Sequence, residues 1–183
     1  MSPMRIIQPS ILCLALVSLV LPAFSEEMES ITVSEFSFQY GSPWARQQVV
    51  STMRAGQFTY DHEDEALKDV DLVIYFFGAG QGGGTQANID RWIGQFEGSP
   101  ETKIEEKELG EKKVTFLTAK GTYKETMGGP FSGNSVSQAD YTMLAAILPS
   151  PQGDVFLKLT GPNDSVAAMK DAFDAFAASP FEK

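Results

Sequence analysis

Three consecutive stretches decide the fold: Val70-Asp-Leu-Val-Ile-Tyr-Phe-Phe77, then Gly78-Ala-Gly-Gln-Gly-Gly-Gly84, then Thr85-Gln-Ala-Asn-Ile-Asp-Arg-Trp-Ile-Gly-Gln-Phe96. The first is short, aliphatic and aromatic, which predicts a strand. The glycines that follow predict a tight loop. In the third stretch the apolar residues Ile89, Trp92, Ile93 and Phe96 recur at helical spacing, which predicts one buried helical stripe with Thr85 as N-cap. The order is therefore strand, glycine loop and amphipathic helix.

The rest of the chain contains several strand patterns and one further helix pattern. The predicted strands are Ser34–Tyr40, Met53–Tyr60, a hairpin of Lys103–Glu108 with Lys112–Tyr123, and a hairpin of Tyr141–Leu148 with Asp154–Thr160. A closing helix begins after Gly161-Pro162-Asn163-Asp164, and its apolar stripe is Val166, Met169, Phe173 and Phe176. We expect a single α+β domain over residues 26–183, an antiparallel sheet of about six strands with helices packed on it.

The first 25 residues have the pattern of a secretory signal. Arg5 supplies a positive charge, Ile11 to Leu21 is apolar, and Pro22 is followed by Ala23-Phe24-Ser25, so we expect cleavage after Ser25. The alternative is an uncleaved anchor, but the apolar run is short for a membrane span. The prediction is a periplasmic or secreted protein with no membrane span after cleavage.

Cysteine content and charge narrow the function classes further. Cys13 is the only cysteine, and it lies inside the apolar run between leucines, so lipidation and thiol chemistry in the mature chain are not expected. The net charge is −10, and loss of Arg5 with the signal makes it more negative. An acidic surface repels nucleic acid and anionic lipid.

The sequence also resembles known proteins. Met53-Arg54-Ala55-Gly56-Gln57-Phe58, Tyr75-Phe76-Phe77-Gly78 and the Asn88-x-x-Arg91-Trp92-x-x-Gln95-Phe96 helix resemble an uncharacterised family of bacterial secreted proteins. The final strand-Gly-Pro-helix unit is similar to the PsbP-like fold, which implies an antiparallel sheet between helical layers. PsbP-like domains dock on larger assemblies rather than catalyse, so this resemblance implies binding.

The glycine loop contains Gly78-x-Gly80-x-x-Gly83, which matches a dinucleotide fingerprint only formally. A true fingerprint needs a parallel βαβ unit with an acidic residue on the next strand, and the segment that follows the helix lacks that pattern. No Gly-Lys-Ser/Thr follows either. The glycines are therefore interpreted as a tight turn that brings the helix to the sheet, with binding of an anionic group at the helix N-terminus as the alternative.

The polar side of the helix supplies the candidate binding residues. Asn88, Arg91 and Gln95 lie away from the apolar stripe, and their amide and guanidinium groups suit a carboxylate or a peptide backbone. The candidate surface extends to Gly80, Gly83 and Thr85. The alternative is an ordinary solvated helix face.

Other candidate sites are weaker. The acidic run Asp61 to Glu65 around His62 lacks calcium-site spacing, so we expect a solvated loop and no metal. No nucleophile elbow accompanies His62, and Asp140 and Asp154 are typical of turns rather than of a catalytic carboxylate pair. A second glycine-rich loop, Met127 to Asn134, could present Met127 and Phe131 to a partner.

These observations lead to three hypotheses in order of preference. The first is a non-enzymatic binding domain that contacts a protein or an envelope component, without cofactor. The second is a small-ligand carrier that binds at the Gly78–Gly84 loop and the following helix. The third is an envelope hydrolase that uses two carboxylates.

Overall fold

The structure, a computed structural model, describes residues 28–127 and 134–182. The predicted signal, residues 1–25, lies outside the described residues. So does Phe131, with most of the second glycine-rich loop, and the Met127 side chain is likewise not described. No α-helix in the described ranges is both long enough and apolar enough to cross a membrane.

The described residues form nine strands and three α-helices, followed by a short 3-10 helix at Ser179–Phe181. The strands are β1 Glu29–Val33, β2 Phe36–Tyr40, β3 Trp44–Arg46, β4 Gly56–Tyr60, β5 Val70–Phe76, β6 Glu101–Leu109, β7 Lys112–Met127, β8 Asn134–Leu148 and β9 Val155–Pro162. The helices are α1 Thr85–Ile93, α2 Asn163–Ala168 and α3 Lys170–Ala178.

Seven of these strands form one antiparallel sheet in the order β3-β4-β5-β9-β8-β7-β6, and β1 and β2 form a separate hairpin. The α+β class is therefore confirmed, with more strands than the predicted six. Both hairpins predicted from the sequence, β6–β7 and β8–β9, are present. β9 lies in the centre of the sheet because the long β8–β9 hairpin inserts against β5.

The two faces of the sheet have separate cores. Val155, Leu157 and Leu159 of β9 point to one face, which the β1–β2 hairpin, α2 and α3 cover. Phe156 points to the other face, where α1 packs through Ile89 and Trp92, and Phe96 packs there just after the helix. This alternation follows from the period of two in a strand. The helix anchors predicted from the sequence are buried as expected.

Several predicted boundaries are wrong. Gly84, not Thr85, is the N-cap of α1, and the helix ends at Ile93 with Gly94 as its C-cap, so Gln95 and Phe96 lie beyond it. The closing helix divides into α2 and α3 at Met169, whose φ is −109°. Its four predicted apolar residues are nevertheless all buried in one core.

Two strands were missed because they are short. β1 pairs with β2 through a turn in which Ser34 has φ 55°. Trp44 lies outside the predicted strands, yet it begins β3 and packs edge-on against Tyr60. β1 has five residues and β3 has three, and over so few positions local alternation is too brief to be decisive.

The β7–β8 hairpin extends past the end of β9 as a two-stranded arm. The pairing shifts register between Gly121 and Tyr123, which marks a β-bulge. A bulge bends a hairpin, and Tyr123 also pairs with Phe96 just beyond α1. The arm therefore stands beside the face of the sheet that carries α1, and it leaves part of that face open.

Candidate functional site

The open part of the α1 face forms a groove of about 760 Å³. Its floor is made of β5 and β9, through side chains that include Asp71, Tyr75 and Lys158. One wall is the arm with Tyr123, and the other is the loop before β4 with Arg54. A volume of this size suits a small ligand or a short segment of chain.

Lys158 is the central feature of the groove. It lies in the middle of β9, opposite Val73 of β5 and Ala145 of β8, and it is largely buried. Its Nζ atom donates to Oε1 of Gln95 at 2.6 Å and to the hydroxyl of Tyr123 at 3.2 Å. The same ammonium lies 5.4 Å from the centre of the Tyr123 ring. All of these partners are neutral, so no carboxylate offsets the buried charge.

Two further cations lie near Lys158. Burial, followed by repulsion from Arg91 and Arg54, lowers the pKa of Lys158 to about 8. The same two guanidinium groups act on Tyr75, although burial dominates there and raises its pKa. Among the described residues, none of the five ion pairs involves Lys158, Arg54 or Arg91. A chain with a net charge of −10 thus keeps two cations without an ion pair, Arg54 and Lys158, in the lining of one groove, with Arg91 nearby.

Asn88, the first of the predicted binding residues, does not lie on an exposed helix face. It is only 1% exposed, and its Nδ2 donates to the carbonyl oxygens of Gly82 at 2.8 Å and Gly84 at 3.0 Å. Its Oδ1 accepts a hydrogen bond from Arg91. Asn88 therefore closes the glycine loop and orients Arg91.

Arg91 and Gln95 behave differently from Asn88. Arg91 is exposed on α1, and Gln95 turns under the arm to accept the hydrogen bond from Lys158. Of the two, only Gln95 lines the groove, where it meets Lys158; Arg91 lies outside the lining, near enough for its charge to lower the pKa of Lys158. Gly80, Gly83 and Thr85 lie at or before the opposite end of α1, which is about 14 Å long.

The glycine loop has a clear steric reason for its composition. Gly82 has φ 85°, and a Cβ atom there would lie 2.9 Å from Phe77 and 3.0 Å from Phe156. A side chain would therefore collide with the aromatic residues under the loop. This close approach supports the interpretation of the loop as a turn that brings α1 to the sheet.

Four residues of the groove were not among the candidates predicted from the sequence: Lys158, Arg54, Tyr75 and Tyr123. Lys158 had a local signal, since it stands alone between Leu157 and Leu159 in an otherwise apolar strand. The other three carry no such signal. They are far apart along the chain and meet only because β4, β5, β9 and the arm pair in this order.

The described residues outside the groove include two carboxyl groups with shifted pKa values, those of Glu35 and Asp174. Residues 28–127 and 134–182 contain no cluster of three or more His, Cys, Asp or Glu that could hold a metal ion. A bond from Lys112 lowers the pKa of Glu35. Burial would raise the pKa of Asp174, but bonds from Lys170 and Lys107 outweigh it and lower that pKa. A general acid needs the opposite shift.

Comparison with known proteins identifies the fold. The chain is similar to cyanobacterial PsbP (CyanoP) from Synechocystis sp. PCC 6803, with a TM-score of 0.52 and 14% identity over 91% of this chain and 96% of that one. A likeness at this identity shows the fold alone, and it confirms the PsbP-like resemblance at that level. The protein of unknown function PA94 from Pseudomonas aeruginosa aligns with a TM-score of 0.45 and 11% identity, over 85% of this chain and 97% of its own. No protein-family model and no curated protein matches the sequence.

Proposed function

We propose that this chain is a non-enzymatic binding domain that holds an anionic group of a protein or an envelope component in the groove. The observation that carries the proposal is the Lys158 ammonium, which is buried on the groove floor without a carboxylate partner. Burying an unpaired charge costs stability. A ligand carboxylate or phosphate would supply the missing counter-charge.

The neighbours of Lys158 suit the same role. Arg54 and Arg91 add two guanidinium groups, which hold carboxylates and phosphates through paired donors. Asn88 positions Arg91, and Gln95 positions the Lys158 ammonium. In this proposal the predicted residues Asn88 and Gln95 act by orienting cations, while Arg91 contacts the ligand.

The second candidate function is that of a small-ligand carrier. It is favoured by the volume of the groove, which is about 760 Å³. Its ligand site moves from the Gly78–Gly84 loop to the groove, because the groove holds the Lys158 ammonium without a carboxylate partner. Under either function, we propose that the protein acts outside the cytoplasm. This location rests on the predicted signal and on the resemblance to bacterial secreted proteins.

The test is a thermal-shift titration with acetate and inorganic phosphate at low ionic strength. A ligand that binds only the folded state raises the melting temperature. We expect a rise for the wild type and none for Lys158→Met. Lys120→Met is the matched control, because Lys120 is exposed and the preceding residue, Ala119, packs in the core on the α1 face. The proposal fails if no anion shifts the wild type, or if both variants respond equally.

A further inference from the structure

The groove also has a negative pole, opposite in charge to the positive pole that Lys158, Arg54 and the nearby Arg91 form. Asp71 lies on β5 opposite Thr160 of β9, and Glu125 lies on the arm two residues after Tyr123. Since alternate residues of a strand share a side, Glu125 and Tyr123 both face the groove. Neither carboxylate belongs to an ion pair formed within the described ranges.

These two carboxylates are held by neutral donors. Asp71 accepts from the Thr59 hydroxyl at 2.7 Å and from Nε2 of Gln57 at 3.3 Å. Glu125 accepts from Nε2 of Gln138 at 2.8 Å. Neutral donors fix the position of a carboxylate and leave its charge unbalanced. The arrangement therefore mirrors that of Lys158, which also has only neutral partners.

Two lysines, Lys68 and Lys124, also line the groove near this pole. Among the described residues neither forms an ion pair with Asp71 or Glu125. The Lys68 side chain is exposed at the rim, and its backbone N–H donates to Ser165. Asp69 is exposed at the same rim and lines the groove.

The distance between the poles follows from strand geometry. Lys158 is level with Val73, two residues along β5 from Asp71, and Tyr75 beside the two arginines is four residues from Asp71. At about 3.3 Å per residue, the backbone positions that carry the poles are separated by ~7–13 Å. Arg54 lies at the near end of this span, since its Nη1 donates to Oε1 of Gln57 at 2.6 Å and Nε2 of the same Gln57 donates to Asp71. An extended peptide spans ~3.3–3.6 Å per residue, so three or four residues bridge this distance.

Between the poles the groove offers groups that match a peptide backbone. The Tyr123 hydroxyl, the Gln95 amide and Thr160 line the intervening space. Together they supply both donors and acceptors, as a chain of alternating N–H and C=O groups requires. Three tyrosines, at positions 75, 123 and 141, add ring surface along the same length.

We propose that the ligand of the groove is a short peptide of three or four residues with both termini free. Its carboxylate lies among Lys158, Arg54 and Arg91, and its ammonium lies between Asp71 and Glu125. This inference rests on the proposed function and makes it more specific. The occupant carries two opposite charges at a set separation.

The experiment compares four probes by calorimetric titration against the wild type. The probes are tetra-alanine, its N-acetylated form, its C-amidated form, and an ω-amino carboxylate of the same length without peptide bonds. We expect the free peptide to bind best. Each terminal block should weaken it by ~10-fold or more, since each removes a charge-assisted bond. The ω-amino carboxylate should bind less tightly than the peptide.

A pair of variants assigns the ammonium site. Asp71→Asn should weaken the free peptide while leaving the N-acetylated peptide unchanged. Glu108→Gln is the matched control, since it removes one negative charge at an exposed position of β6 outside the groove. It should bind all probes as the wild type does. If only Asp71→Asn weakens peptide binding, the effect comes from the carboxylate in the groove and not from the overall charge of the protein.

The outcomes separate this inference from the function on which it rests. If the free and N-acetylated peptides bind equally and Lys158→Met abolishes both, the second pole is refuted and the anion site stands. If the ω-amino carboxylate binds as tightly as the peptide, the peptide assignment is overturned. If no probe and no simple anion binds, the proposed function itself fails.

Discussion

Replacing Lys158 by Met should make the free protein more stable. The ammonium on the groove floor has no carboxylate partner, and burial with two neighbouring guanidinium groups lowers its pKa. A site that needs a ligand to balance its charge is strained without that ligand. Met keeps the length and apolar character of the stem and removes only the charged end.

The magnitude follows from the pKa. A fall from 10.5 to about 8 corresponds to a penalty of about 3 kcal/mol, at ~1.4 kcal/mol per pH unit. The Met variant loses the bonds to Gln95 and Tyr123 and leaves the Gln95 oxygen without that donor, which offsets part of the gain. We expect a net stabilisation of ~1–3 kcal/mol at pH 7. For a domain of this size the melting temperature rises by ~2–12 °C.

The pH dependence has a definite sign. Below pH 8 Lys158 is charged in both the folded and the unfolded state, so the penalty is complete. Above about 8 the folded protein releases the proton while the unfolded chain keeps it up to 10.5, so wild-type stability rises with pH relative to the variant. The advantage of Lys158→Met therefore shrinks as the pH rises through 8. Measurements stay below pH 10, because the raised pKa values of Tyr75 and Tyr123 reduce stability above it.

The assay is urea unfolding of wild type, Lys158→Met and Lys120→Met at pH 7 and at pH 9.5. Lys120→Met, on the exposed side of β7, should change stability little at either pH. The reasoning is refuted if Lys158→Met is no more stable than the wild type at pH 7. A gap that stays constant between the two pH values would refute the assigned cause.

Four further results are expected. Arg91→Ala should weaken carboxylate binding several-fold at a stability cost of about 1 kcal/mol, since Arg91 is exposed and the main loss is its bond to Asn88; a larger loss of stability with unchanged binding would contradict its role. Gly82→Ala should cost at least ~1 kcal/mol more than Gly80→Ala in urea unfolding, because both have positive φ but only Gly82 would collide with aromatic rings. Asn88→Ala should cost ~1–3 kcal/mol through the loop carbonyls that lose their donor. Acetate affinity should fall as the pH rises through about 8, where Lys158 loses its proton, and calorimetry in buffers of different ionisation heat would show the proton taken up.

The sequence-based predictions succeeded where a pattern repeats within one element. The stripe Ile89, Trp92 and Phe96 predicted a buried helix face, and these three side chains are buried as expected. Asn88 shows where such reasoning stops. Its position opposite the stripe suggested an exposed binding residue, yet it is buried because the glycine loop folds back over it. Helical periodicity does not register a loop that returns to cover the helix.

Local sequence patterns were enough to predict the α+β class, the two long hairpins and the helix that follows the glycine loop. These features depend on alternation, helical spacing and turn residues, which act over a few positions. The meeting of Arg54, Tyr75, Tyr123 and Lys158 in one groove became visible only in the folded chain. Strand order, register and the bulge in the arm are set by how distant segments pack against one another. The charges and rings of these four residues can be read from the sequence, but their common location depends on how the strands and the arm pack.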